Sequence, residues 1–101
     1  MHELSSGQRQ WLRKMAHDLR PLAQVGKNGL TEQVAASVEQ ALAAHELIKV
    51  KFQDYQDQRR QLAETLAEET GSVLVGLIGN IAILYRQQPD PERRKIALPR
   101  S

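Results

Sequence analysis

Apolar residues recur along this chain with two periods, and the switches between them mark seven elements. From Leu4 to Arg20 the spacing is helical, with Leu12, Met15, Ala16 and Leu19 at i, i+3, i+4 and i+7 and Trp11 bordering the stripe. Ser5 and Gln8 have capping-box spacing, and Pro21 stops the helix by disfavouring the helical conformation at Arg20. Met15 and Trp11 are therefore assigned to the core. The short apolar run Leu22 to Val25 reads as a strand. A second helix is expected from Thr31 to His45, with Val34, Val38, Ala41, Leu42 and His45 on one face.

Leu47 to Phe52 shows the clearest alternation. Ile48, Val50 and Phe52 fall on one face and Leu47, Lys49 and Lys51 on the other, so this strand is expected to be half-buried. After the polar stretch Gln53 to Gln56, Asp57 is the expected cap of a third helix running to Thr70. Leu62 and Leu66 lie in its stripe and Gly71 ends it. Val73 to Ile78 and Ile81 to Arg86 are strands joined by Gly79-Asn80, a strong hairpin signal. Both are apolar on both faces, which calls for central positions or for helices on each side, the first helix supplying part of that cover. Gly76, midway along the first of the two, either weakens it or permits a close approach.

The order α-β-α-β-α-β-β predicts an α/β fold, a two-layer sandwich on a four-stranded mixed sheet. The two β-α-β passages imply parallel pairing with right-handed crossovers, and the last two strands pair antiparallel. Residues 1–88 make a single domain. Residues 89–101 form a basic tail with Pro89, Pro91 and Pro99, expected to be extended and partly mobile.

Composition narrows the function. The 101-residue chain has no cysteine, which removes disulfides, thiolate metal sites and cysteine nucleophiles and fits a cytoplasmic protein. The most apolar stretch is too short to span a membrane and the N-terminus lacks a signal-peptide pattern, so a soluble protein is expected. The net charge of +2 conceals a segregation. Residues 1–30 carry five cations against two acids, residues 31–71 four against eight, and residues 72–101 five against two. Cations gathered at both ends of the chain suit a polyanion-binding surface.

The stretch Val25-Gly26-Lys27-Asn28-Gly29-Leu30-Thr31 joins strand to helix. Two glycines three apart allow a tight turn and close approach of a ligand, Thr31 is a good N-cap, and the helix start beyond it is electropositive. A lysine beside such a turn suits a phosphate. Enzymatic chemistry finds little support. His2, His17 and His45 have no ligand spacing, no nucleophile motif or phosphate-loop motif is present, and Glu64, Glu68 and Glu69 read as an exposed helix face. No cofactor or metal is expected. The candidate RNA-contacting residues are Gly26, Lys27, Asn28, Gly29 and Thr31 of the loop, Lys49 and Lys51, Arg13 and Lys14 of the first helix, Arg86, and Arg93, Arg94 and Lys95 of the tail. With only four aromatics there is no stacking platform of the ribonucleoprotein-sheet type, which favours backbone and shape recognition of structured RNA.

Several strings in order now carry a resemblance: Gly26-Lys27-Asn28-Gly29-Leu30-Thr31, His45-Glu46-Leu47-Ile48-Lys49-Val50-Lys51, Glu69-Thr70-Gly71, Ile78-Gly79, and Leu84-Tyr85-Arg86. The chain resembles the CRM domain (chloroplast RNA splicing and ribosome maturation), and over essentially its whole length the stand-alone bacterial YhbY-type RNA-binding proteins. That resemblance implies a fold similar to the C-terminal domain of bacterial translation initiation factor three, with the last strand inserted among the others. It also implies RNA binding through the G-x-x-G loop, with Lys49 and Lys51 near the RNA, and a role on precursors of the large ribosomal subunit. Asn80 departs from the family pattern, which places a basic residue after the hairpin glycine, so no phosphate contact is assigned there. The expected protein is thus a non-enzymatic, monomeric factor for large-subunit assembly that binds ribosomal RNA. The alternative is a protein-interaction module that docks through its sheet edge or basic tail.

Overall fold

The computed structural model describes residues 3–54 and 56–100; His2, and one residue of the polar stretch Gln53 to Gln56, lie outside them. Seven main elements follow in the expected order: α1 (Ser6–Ala16), β1 (Ala23–Val25), α2 (Glu32–His45), β2 (Leu47–Phe52), α3 (Arg59–Glu69), β3 (Val73–Ile78) and β4 (Ile81–Tyr85). The strands form one mixed sheet in the order β1-β2-β4-β3. β1 runs parallel to β2, and β4 pairs antiparallel with both β2 and β3. The last strand is therefore inserted among the others. The second β-α-β passage gives strands of like direction with β4 between them, because the hairpin folds β4 back into the gap.

Each face of the sheet has its own apolar cluster. On one side Val38 and Leu42 of α2 and Ala63 and Leu66 of α3 pack on Val25, Ile48, Val50, Phe52, Ala82 and Leu84. Truncating one of these leucines to alanine would cost about 2–5 kcal/mol. On the other side Leu12 and Ala16 of α1 cover Leu47, Val75, Ile83 and Tyr85, joined by Ile96 and Leu98 from the tail. Helices α2 and α3 with the sheet make the expected sandwich, and α1 with the tail adds a partial layer behind it. β2 is accordingly more buried than its alternation suggested, since Leu47 is only 4% exposed. β4 is central, whereas β3 takes an edge and is half-covered.

Several boundaries differ from the sequence reading. α1 ends at Ala16, four residues before Arg20, where His17 N–H turns back to the Lys14 carbonyl at 3.2 Å and Leu19 N–H to Ala16 at 3.0 Å. Those tightened turns carry Leu19 off the helical stripe, and Met15, although still in the helix, lies beside the buried pair Leu12 and Ala16; both are exposed, against the core assignment of Met15. Trp11 does pack against the cluster under α1. His45 is exposed although its helix face is apolar. α3 begins at Arg59 after a short 3₁₀ turn, Gln56–Gln58, so Asp57 is not its cap. β1 starts at Ala23 and β4 stops at Tyr85.

The tail is fastened to the domain along an irregular path. Glu46, buried to 1% exposure, accepts bonds from the backbone N–H groups of Gln88, Lys95 and Ile96. The Ser5–Gln8 capping box forms as expected, and the Gln8 amide also donates to the Pro99 carbonyl at 2.7 Å. Glu46 holds the link between α2 and β2 at φ 66°, ψ −43°, a region that side-chain-bearing residues rarely occupy. Gly76 permits a close approach: a Cβ there would meet the Cδ of Arg13 at 3.2 Å.

Candidate nucleic-acid interface

The glycine loop is a tight turn. Gly29 N–H donates to the Gly26 carbonyl at 3.0 Å, and Gly29 sits at φ 70°, where a side chain would be strained. Lys27 and Asn28, at the corners of the turn, are both exposed. Thr31 N–H returns to the Gly29 carbonyl at 3.1 Å, and the Thr31 hydroxyl accepts from Val34 N–H at 3.1 Å to cap α2. The turn therefore abuts the positive end of a 14-residue helix, whose first-turn amides lack acceptors within the helix. One carboxylate, the exposed Glu32, stands in that same first turn.

Register decides which candidate cations share this end of the sheet. β1 leads straight into the loop, and its last residue, Val25, pairs with Phe52 at the end of β2. Lys51, adjacent in β2, is exposed on the face that α1 covers farther along. The hairpin lies at the same end: Phe52 N–H donates to the Asn80 carbonyl at 2.8 Å, and the Arg59 guanidinium donates to the Gly79 carbonyl. That bond gives the first-turn arginine of α3 an internal partner. Lys49 lies one pair back and donates from Nζ to the His17 carbonyl at 3.1 Å. Arg13 reaches over Gly76 to the Val75 carbonyl, and Lys14 is exposed in the last turn of α1.

The remaining candidates lie at the opposite end. Arg86 follows Tyr85, which pairs with Leu47 at the start of β2, and forms an ion pair with Glu39 at 2.6 Å while also donating to the Thr70 carbonyl. Arg93, Arg94 and Lys95 are exposed beside the Glu46 anchor, with Arg94 Nε on the Gln88 carbonyl at 2.8 Å. The structure thus gathers Gly26, Lys27, Asn28, Gly29, Thr31 and Lys51, and separates them from Arg86 and the tail by the length of β2, about 20 Å. The sequence reading missed Glu46 as the tail's anchor. Its only sequence signal was a carboxylate directly after a helix and before an apolar strand.

Other chemistry has little purchase. Among the described residues no group of three or more His, Asp or Glu side chains could hold a metal, and no helix is long and apolar enough to cross a membrane. Burial holds the Tyr85 phenol above its ordinary value of 10.0, and the Glu46 carboxylate pushes the same way, opposed by the Arg94 charge and the Gln87 side chain; the buried hydroxyl itself has no hydrogen-bond partner. An apolar groove of about 320 Å³, with Met15, Leu19 and Leu22 in its wall, lies where α1 and α2 end. Arg20 and His45 also line it, among mostly apolar side chains.

Comparison with known proteins identifies the family and the fold. The pattern of the CRS1 / YhbY (CRM) domain matches residues 4–86, and the chain belongs to that family. It is 45% identical over 101 residues to a Haemophilus influenzae protein named "RNA-binding protein", covering 99% of each chain. It is 38% identical to the Bacillus subtilis "Probable RNA-binding protein YqeI", covering 95% of this chain and 99% of that one. Among solved structures, a hypothetical protein from Staphylococcus aureus determined in solution superposes with a TM-score of 0.82 at 38% identity, over 96% of this chain and all of the other.

Proposed function

We propose that this protein is a non-enzymatic RNA-binding protein whose Gly26–Gly29 turn holds the phosphate backbone of structured ribosomal RNA during assembly of the large subunit. The observation that carries the reading is the turn itself. It sets the exposed residues Lys27 and Asn28 before the positive end of α2, with Lys51 on the neighbouring strand. Family membership and the names of the relatives support RNA as the partner. The charges work at two ranges. Lys27 and Lys51 neutralise phosphates at contact, while Arg93, Arg94 and Lys95 raise the rate of encounter from the far end. Arg86 serves the fold through its pair with Glu39. A cytoplasmic, monomeric protein is part of the same proposal.

The test is binding to large-subunit ribosomal RNA across a salt series. Affinity that falls steeply with salt, and loss of co-sedimentation with ribosomal particles after nuclease, would support it. A complex that survives both would favour a protein partner. An observation on that side is the apolar groove beside Met15, Leu19 and Leu22.

A further inference from the structure

Four residues stand in one row across the sheet at the loop end. Gln24 of β1 pairs with Lys51 of β2, Lys51 with Ile81 of β4, and Ile81 with Ile78 of β3. Residues opposite one another in register share a face, and this is the face α1 covers farther along, over Leu47, Ile83 and Tyr85. α1 does not reach this row. Gln24 and Lys51 are exposed, Ile81 is half-buried, and Ile78 is 61% exposed, the most open large apolar side chain among the described residues. The row also begins one residue before Val25 and the glycine turn, and none of its four members is acidic.

We propose that the row Gln24–Lys51–Ile81–Ile78 is a nucleotide subsite that receives an unpaired base next to the phosphate held by the glycine turn. Ile78 and Ile81 offer a flat apolar step for the face of the base. Lys51, between Ile81 and Gln24 in the row, reaches the phosphate of the stacked nucleotide, and Gln24, on the strand that leads into the turn, stands between that nucleotide and the phosphate the turn holds. Aliphatic side chains here do the work for which ribonucleoprotein sheets use aromatics. The step is held in place before binding: the Arg59 guanidinium and Phe52 N–H fix the carbonyls of Gly79 and Asn80 at the hairpin tip. Little ordering is then left for the bound state. The preferred target is a junction, a paired stem with an unpaired nucleotide beside it. This subsite rests on the loop reading, since the turn sets where the strand enters.

Two probes separate the two claims: an RNA stem ending in an unpaired uridine overhang, and the same stem with a blunt end. The wild type should bind the overhang probe about threefold to fivefold more tightly, at or below the low end of what stacking a base on an aromatic side chain provides. Ile78→Ser, a change at an exposed position, should erase that preference and leave blunt-stem affinity within about twofold. Lys27→Glu should weaken both probes alike. If Ile78→Ser keeps the preference while Lys27→Glu weakens both, the subsite is wrong and the loop reading stands. If Lys27→Glu affects neither, the loop reading falls, and loss of the preference in Ile78→Ser would still establish the row as an RNA contact. Photocrosslinking from a 4-thiouridine overhang to the β3–β4 hairpin gives the direct check. Crosslinks confined to the tail would overturn the subsite.

Discussion

The carboxylate of Glu46 accepts a hydrogen bond at 3.0 Å from the backbone N–H of Ile96, fifty positions further along the chain. The same oxygen takes Lys95 N–H at 2.6 Å, and the other takes Gln88 N–H at 2.8 Å. A buried carboxylate with three backbone donors is well satisfied, and removing it leaves those donors unpaired. Glu46→Ala should therefore destabilise the protein by about 3 kcal/mol and free the tail. Glu46→Gly, which relieves the backbone at φ 66°, should recover only part of that loss. Denaturant unfolding gives the stability, and amide exchange at Ile96 reports the release.

Tyr85 predicts an alkaline limit to stability. Its phenol titrates above 10.0 in the folded protein, chiefly because it is buried. The folded state thus keeps a proton that the unfolded state has lost, and stability falls as pH rises through that window. Below the unfolded value the contribution is fully present. Melting temperatures of Tyr85→Phe should fall less steeply above about pH 10 than those of the wild type. Equal slopes would contradict this.

Thr31 caps α2 through its hydroxyl. Thr31→Ala should cost about 1 kcal/mol in denaturant unfolding, while Thr31→Ser should retain most of the stability. A loss in the alanine variant alone would identify the cap as the cause.

Glu32 sets two functions of the helix start against each other. It stabilises the positive end of α2 but repels a phosphate arriving there. Glu32→Gln should raise RNA affinity about twofold to fivefold at low salt and lower the melting temperature slightly. Filter binding at two salt concentrations checks both the gain and its screening.

The sequence made the alternating strand Leu47–Phe52, the Thr31 cap, the Ser5–Gln8 box and the Gly79-Asn80 hairpin legible, because each depends on residues close together in the chain. The glycine turn was legible for the same reason. The end of α1 was not, since Pro21 limits a helix only at its neighbour and the chain left the helix earlier through tightened turns. The tail's attachment was hidden too: its anchor, Glu46, lies far away in sequence, and a carboxylate before a strand ordinarily reads as solvated. Local charge also gave no sign of the Arg86–Glu39 ion pair, whose members become neighbours only once β4 enters the sheet. The row from Gln24 to Ile78 required the strand order itself.

The most direct test of the account is an amide chemical-shift titration of the protein with a fragment of large-subunit ribosomal RNA. The account predicts the largest shifts at Gly26, Lys27, Asn28, Gly29 and the first turn of α2, with Lys51 and the hairpin following. An undisturbed turn, with shifts gathered instead around Leu19, Leu22 and the tail, would contradict it.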